Sequence, residues 1–189
     1  GHEASLILVV GQCDNAPAIA VVEAADLKAG AISVNTLIDL TKRTAQIDFT
    51  GVAAKAVLTG EHVVAAIRDY RLLGALLTAA EAAGSAARCL AVIVDYLKTR
   101  KQFGKLIGSY QALKHPTVDI YCGVEDARSF CYHAASLLDA DSLSHDAEIA
   151  CRMAKVSAGQ TMSYAGDRAV QFHGGIGFTW DCDSTLFIR

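Results

Sequence analysis

The cations Lys98, Arg100, Lys101 and Lys105 stand close together, with Gly104 and Gly108 beside them, in a chain of formal net charge −3. An anion such as a phosphate is held where a guanidinium and backbone amides converge, and glycine lets the backbone come close. A plainer reading competes. Lys and Arg in a last helical turn complement the helix dipole, and a glycine then ends the helix. Residue types alone favour the plainer one. A second stretch, Gln171-Phe-His-Gly-Gly-Ile-Gly-Phe178, has glycines that would admit a ligand or a second subunit to the main chain. A C-terminal helix cap has much the same composition. The stretch is neither a dinucleotide fingerprint, which follows a strand and opens a helix, nor a P-loop, since no Gly-Lys-Ser/Thr follows.

The remaining chemistry-bearing residues are scattered. His62, His115, His133, His145 and His173 include no pair at i, i+4, so they read as surface or satisfied core residues, and no metal is expected. There is no G-x-S-x-G. Glu81 lies inside a helical stretch, and Glu125, Asp126 and Arg128 read as a charged face with local pairs. The six cysteines, Cys13, Cys89, Cys122, Cys131, Cys151 and Cys182, contain no C-x-x-C spacing. They read as reduced and mostly packing residues of a bacterial cytoplasm or mitochondrial matrix. Nucleic acid is not expected from a slightly acidic chain without a long basic run. A membrane is not expected either, because no uninterrupted apolar run is long enough. The ends at Gly1-His2 and Arg189 look cut.

The elements that must position these residues change character along the chain. Residues 5–10, 18–23, 32–38 and 44–52 read as strands, with Gly11, Asp14, Asn15 and Pro17 as turn residues between the first two. So few strands make an incomplete β domain over residues 1–58. Over residues 59–189 the period becomes helical. Leu72, Leu76, Ala79, Ala83, Ala86, Leu90, Ile93 and Leu97 form one seam of a helix over about 61–100, roughly 60 Å long. Gly74 and Gly84 are its weakest positions. Pro116 belongs in or just inside the first turn of the next helix, whose seam is Ile120, Val124, Ala127, Cys131, Ala134 and Leu138. Asp139 to Ser144 is a polar turn. A third helix with a stripe of small residues, Ala147, Ala150, Ala154, Ser157, Thr161 and Ala165, ends before Gly174. The fold class expected is therefore mainly α: an antiparallel bundle of long helices behind a few antiparallel strands, with a fourth helix starting past Trp180.

Taken in order, Tyr96-x-x-x-Arg100-x-Gln102-Phe103-Gly104-x-x-Ile107-Gly108-x-x-Gln111, then Glu125-x-x-Arg128, then Gln171-x-x-Gly174-Gly175-x-Gly177-Phe178, the chain resembles the C-terminal portion of the acyl-CoA dehydrogenase family. Residues Asp39 to Arg43 and Phe49-x-Gly51-Val52 resemble the end of that family's middle β domain. The resemblance covers nearly the whole chain, and its joint pattern is more specific than any piece. It implies FAD as cofactor, with Arg100, Gln102 and Phe103 contacting it and Gln111 near its adenine end. Gln171, Gly174 and Gly175 match a segment that contacts the cofactor of a neighbouring subunit, which implies homodimers or tetramers. The reaction implied is α,β-dehydrogenation of an acyl-CoA thioester, with electrons passed to an electron-transfer flavoprotein or similar acceptor. A glutamate base is needed. The position where some members carry it is Gly74 here, the arginine often beside it is replaced by Ala75, and many members carry the base beyond the match to Gly175, so none is assigned. Two alternatives follow: a non-catalytic subunit paired with a paralogous chain, or a flavin oxidase of the same superfamily. The piece by itself is expected to be inactive.

Overall fold

The structure is a computed structural model that describes residues 3–39 and 41–188. Leu40, within the Asp39–Arg43 stretch, lies outside the described residues, as do Gly1, His2 and Arg189. Contacts divide the chain between Tyr70 and Arg71 into two compact units.

In the first unit, β1 (Leu6–Cys13), β2 (Ala16–Glu23) and β5 (Ala56–Thr59) form an antiparallel sheet in the order β1-β2-β5, and β3 (Ile32–Val34) pairs with β4 (Ala45–Ile47). The β1–β2 hairpin turns on Asp14 and Asn15, both with positive φ (51° and 63°). That is the turn class whose twist suits a two-residue hairpin, and Asp and Asn tolerate it. Gly11 and Pro17 are strand residues rather than turn residues, since Gly11 faces Ala18 and Pro17 faces Gln12 in the ladder. The strands expected over 32–38 and 44–52 are shorter than their apolar patterns. Asp39 accepts from the Thr41 amide and hydroxyl, and Asp48 from the Thr50 amide, so local turns replace the ladder there. Strand β5 escapes notice in the sequence because four residues carry too little pattern.

Helix α1 (Glu61–Thr99) begins in the first unit, where Val63 and Ile67 are buried, as are Ala18 and Val22 of β2. In the second unit its seam is buried at Leu72, Ala79, Ala83, Ala86, Ile93 and Leu97, with Cys89 beside it. Its other face also carries apolar residues, Leu73 and Leu77 among them. By length and composition α1 is apolar enough to cross a membrane, although Glu81 and Arg88 interrupt its apolar residues; the core helix of a globular bundle meets the same test.

Helix α2 (Gln111–Ala140) starts five residues ahead of Pro116, which is consequently inside it. The proline withholds the amide that would bond the Ala112 carbonyl. Helix α3 (His145–His173) is capped by Ser144, whose hydroxyl accepts from the Ala147 amide at 3.1 Å, and Asp146 and Glu148 sit favourably in its first turn. The small-residue stripe of α3 lets α2 come close: a Cβ on Gly123 would lie 2.8 Å from Thr161 Oγ1. Two cores result. One joins Ala86, Cys89, Ile93 and Leu97 of α1 to Ile120 and Val124 of α2 and to Ala165, Ala169 and Phe172 of α3. The other joins Leu72, Ala79 and Ala83 to Ala127 and Ala134 and to Ala150, Cys151, Ala154 and Ala158. Past α3 the described residues hold 3₁₀ turns at Gly174–Ile176 and Asp183–Phe187, and a fourth long helix is not among them.

Candidate functional site

The basic stretch does not end α1 with a glycine cap. After Thr99 it folds into a small hairpin, β6 (Lys101–Gln102) paired with β7 (Lys105–Leu106). Phe103 and Gly104 turn it, with φ of 52° and 80°. Glycine enters that region freely, whereas a bulky aromatic is strained there. The hairpin is nevertheless anchored. The Ile107 amide donates to the Arg100 carbonyl at 2.9 Å, the Arg100 amide to Tyr96 at 2.9 Å, and the Tyr110 hydroxyl to the Gln102 carbonyl at 3.4 Å. Lys105 lies over the Tyr110 ring, 4.4 Å from its centroid. Gly108 is close-packed, because a Cβ there would come within 2.8 Å of the Leu97 carbonyl oxygen. Close approach of hairpin to helix is what that glycine permits.

At the other stretch, α3 ends at His173, and Gly174 adopts φ 64°, ψ −139°, where side chains are strained. The Gly174 amide donates to the Gln171 carbonyl. Gly177 is close-packed, since a Cβ would come within 2.3 Å of the Val170 carbonyl oxygen.

These two ends meet. A cleft of about 450 Å³ is lined by Arg100, Gln102, Phe103, Tyr110, Leu113, His173, Gly174 and Gly175, with Tyr96, Ile107, Ala112 and Phe172 completing it. The volume falls within the range of about 300–1,000 Å³ of small-molecule sites. Five of the seven residues singled out from the sequence, Arg100, Gln102, Phe103, Gly174 and Gly175, are on its lining. Gln111 and Gln171 are exposed one residue away from Ala112 and Phe172, outside the lining itself. Among the cleft residues not singled out as site candidates are Tyr96 and His173, whose rings stack at 4.1 Å between centroids and 27° between planes. Nothing in the spacing of a lone histidine announces such a pair.

The donor set suits a phosphate-bearing aromatic ligand. Among the described residues the Arg100 guanidinium has no side-chain partner, so it is free for an anion. Phe103 is 90% exposed, an aromatic surface held out at strain. Ideal Cβ atoms on Gly174 and Gly175 would touch nothing within 4 Å, so the space over that main chain is open. Away from the cleft, Glu125 and Arg128 make the local ion pair expected of them, at 3.0 Å. Of the cysteines, Cys89 and Cys151 are buried while Cys13 and Cys122 are exposed, so only part of the set packs. Among the described residues no group of three metal-ligating side chains is present.

A family model for the acyl-CoA dehydrogenase C-terminal domain matches residues 52–189, and the chain belongs to the acyl-CoA dehydrogenase family. It is 41% identical over 115 residues to acyl-CoA dehydrogenase IpdE2 of Mycolicibacterium smegmatis, covering 61% of this chain and 34% of that one. To acyl-CoA dehydrogenase FadE34 of Mycobacterium tuberculosis it is 38% identical over 148 residues, 75% of this chain and 20% of that one. The chain thus spans about a third of the first of these relatives and a fifth of the second. Among solved structures, butyryl-CoA dehydrogenase from Megasphaera elsdenii superposes with a TM-score of 0.78 at 23% identity, covering 100% of this chain and 51% of that one. The ChsE4–ChsE5 complex from Mycobacterium tuberculosis gives 0.78 at 24% identity, with 97% and 48% covered. The fold is shared with both.

Proposed function

We propose that the protein is a flavin-dependent acyl-CoA dehydrogenase and that the cleft joining the ends of α1 and α3 holds part of its FAD. One observation carries the reading: in a chain of this family, Arg100, Gln102 and Phe103 meet Gly174 and Gly175 on a single cleft. FAD fits that donor set. Arg100 would take the pyrophosphate, Phe103 offers a π face, and the main chain at Gly174 and Gly175 admits close approach, with Gln111 and Gln171 at the margin. When bound, FAD accepts the β-hydrogen of an acyl-CoA thioester as hydride. Because both segments share one cleft, both serve one flavin. The family resemblance puts the Gln171 segment on a neighbouring subunit's cofactor, so the proposal puts Arg100 there too and requires at least a dimer.

The intact protein tests this directly. Arg100→Ala should lose most of its flavin through gel filtration, read from the visible absorbance per protomer. Flavin content equal to that of the parent, or a parent that takes up no FAD, would remove the reading. Electrons would leave to an electron-transfer flavoprotein or similar acceptor. Fast reoxidation of the reduced protein by oxygen would instead mark a flavin oxidase. A reducing compartment, bacterial cytoplasm or mitochondrial matrix, belongs to the same proposal and is supported by six free thiols.

Gly74 favours a second reading, in which this chain binds flavin while a paralogous partner supplies the base. Turnover by the intact protein expressed without any partner chain would sink that version.

A further inference from the structure

His173 is 8% exposed and lines the cleft, yet it makes only part of the hydrogen bonding an imidazole can make. Its Nδ1 lies 2.7 Å from the Ala169 carbonyl oxygen. A carbonyl can only accept, so Nδ1 carries the proton, and in the neutral ring Nε2 is left as an acceptor. Among the described residues Nε2 has no partner. The ring cannot readily turn to find one. Tyr96 stacks on its face, and the Tyr96 hydroxyl donates to the His173 carbonyl at 3.4 Å. The ring is nine-tenths buried and fixed, while Nε2 is not among the buried side-chain atoms that lack a partner, so on the cleft wall it is open to water or to a donor of a bound ligand.

We propose that His173 is a ligand-reading residue of this cleft, presenting Nε2 as an acceptor to a hydrogen-bond donor on the adenosine half of the bound dinucleotide, a ribose hydroxyl or the adenine amino group. Tyr96 is its positioning residue. The pair also ties the end of α1, where Arg100 follows, to the end of α3, where Gly174 follows. Charge is supplied by Arg100, and direction by His173. This inference rests on the flavin reading.

Two substitutions separate the nitrogens. His173→Asn places an amide N–H where Nδ1 was and keeps the Ala169 bond, but has nothing at the Nε2 position. His173→Gln keeps an acceptor there and gives up the bond to Ala169. The intact protein, stripped of flavin, is titrated with FAD, with FMN and with ADP by calorimetry, and each variant's melting temperature is recorded. The expected result is FAD and ADP binding weakened about three- to tenfold in His173→Asn, the size of one lost hydrogen bond. FMN, which lacks the adenosine, should be unaffected, and His173→Gln should recover much of the loss. FAD and ADP binding by His173→Asn equal to the parent's overturns the proposal while leaving the flavin reading standing. Equal weakening of all three ligands, tracking a lowered melting temperature in both variants, overturns it as well, because it marks a structural role. A parent that binds no FAD removes the flavin reading and this one together.

Discussion

Single residues in this chain are informative where the backbone or burial is unusual. Phe103 sits at φ 52° while 90% exposed, so its conformation is held at a cost that packing does not repay. Asparagine tolerates that conformation better, by about 1 kcal/mol. Phe103→Asn is therefore expected to raise the melting temperature and to lower flavin retention, measured on the same preparation. Cys89 gives a prediction of another kind. Burial pushes its thiol from 9.0 up to about 12. The unfolded chain loses that proton near its ordinary value while the folded chain keeps it. Its contribution is thus undiminished below pH 9 and declines as pH rises from about 9 to 12, by at most about 1.4 kcal/mol per unit. Cys89→Ala should flatten that part of a urea-denaturation series against pH, and Cys13 and Cys122, which are exposed, should react with a thiol reagent before Cys89 does. At this scale the sequence revealed Arg100 and the glycines but not His173, because a histidine's partners are tertiary facts: Ala169 is one turn back, and Tyr96 is on another helix.

Elements were legible in proportion to their length. The seam of α1 spans many turns, so one misplaced apolar residue does not change its period, and the observed helix ends one residue short of the expected limit. The strands were not so well marked. Three-residue strands such as β3 and β4 are decided by the Asx turns of Asp39 and Asp48 around them, not by their own apolar pattern. The β6–β7 hairpin was hidden for the same reason, with only Phe103-Gly104 at its turn. Helix packing gives two opposite glycine predictions. Gly74 has open space at its Cβ, so Gly74→Ala should stabilise α1 by up to about 1 kcal/mol through helix propensity alone. Gly123 meets Thr161, so Gly123→Leu should destabilise by about 1–3 kcal/mol through overpacking of α2 on α3, seen in the denaturation midpoint.

For the whole molecule, the two ends of the second unit's helices matter most, because residues far apart in sequence, Arg100 and Gly174, line one cleft. The order of motifs along the chain pointed to the family, and the family model now places the chain there. What sequence order could not convey is that both segments face the same space. The 189 residues alone are expected to dehydrogenate no acyl-CoA at a measurable rate with an artificial electron acceptor, since Gly74 stands at the position where some members of the family carry the base; substantial turnover would overturn that expectation. The hairpin at the lip of the cleft carries a last consequence. Arg100, Lys101 and Lys105 are exposed on a two-residue-strand hairpin, the geometry a trypsin-like protease needs in order to draw a loop into its own site. Arg100, proposed to take the cofactor's pyrophosphate, is one of the residues such a protease would cut behind. Cofactor and protease therefore compete for the Arg100 side chain, so occupancy of the cleft should protect the chain and nicking at this hairpin would report on the empty state.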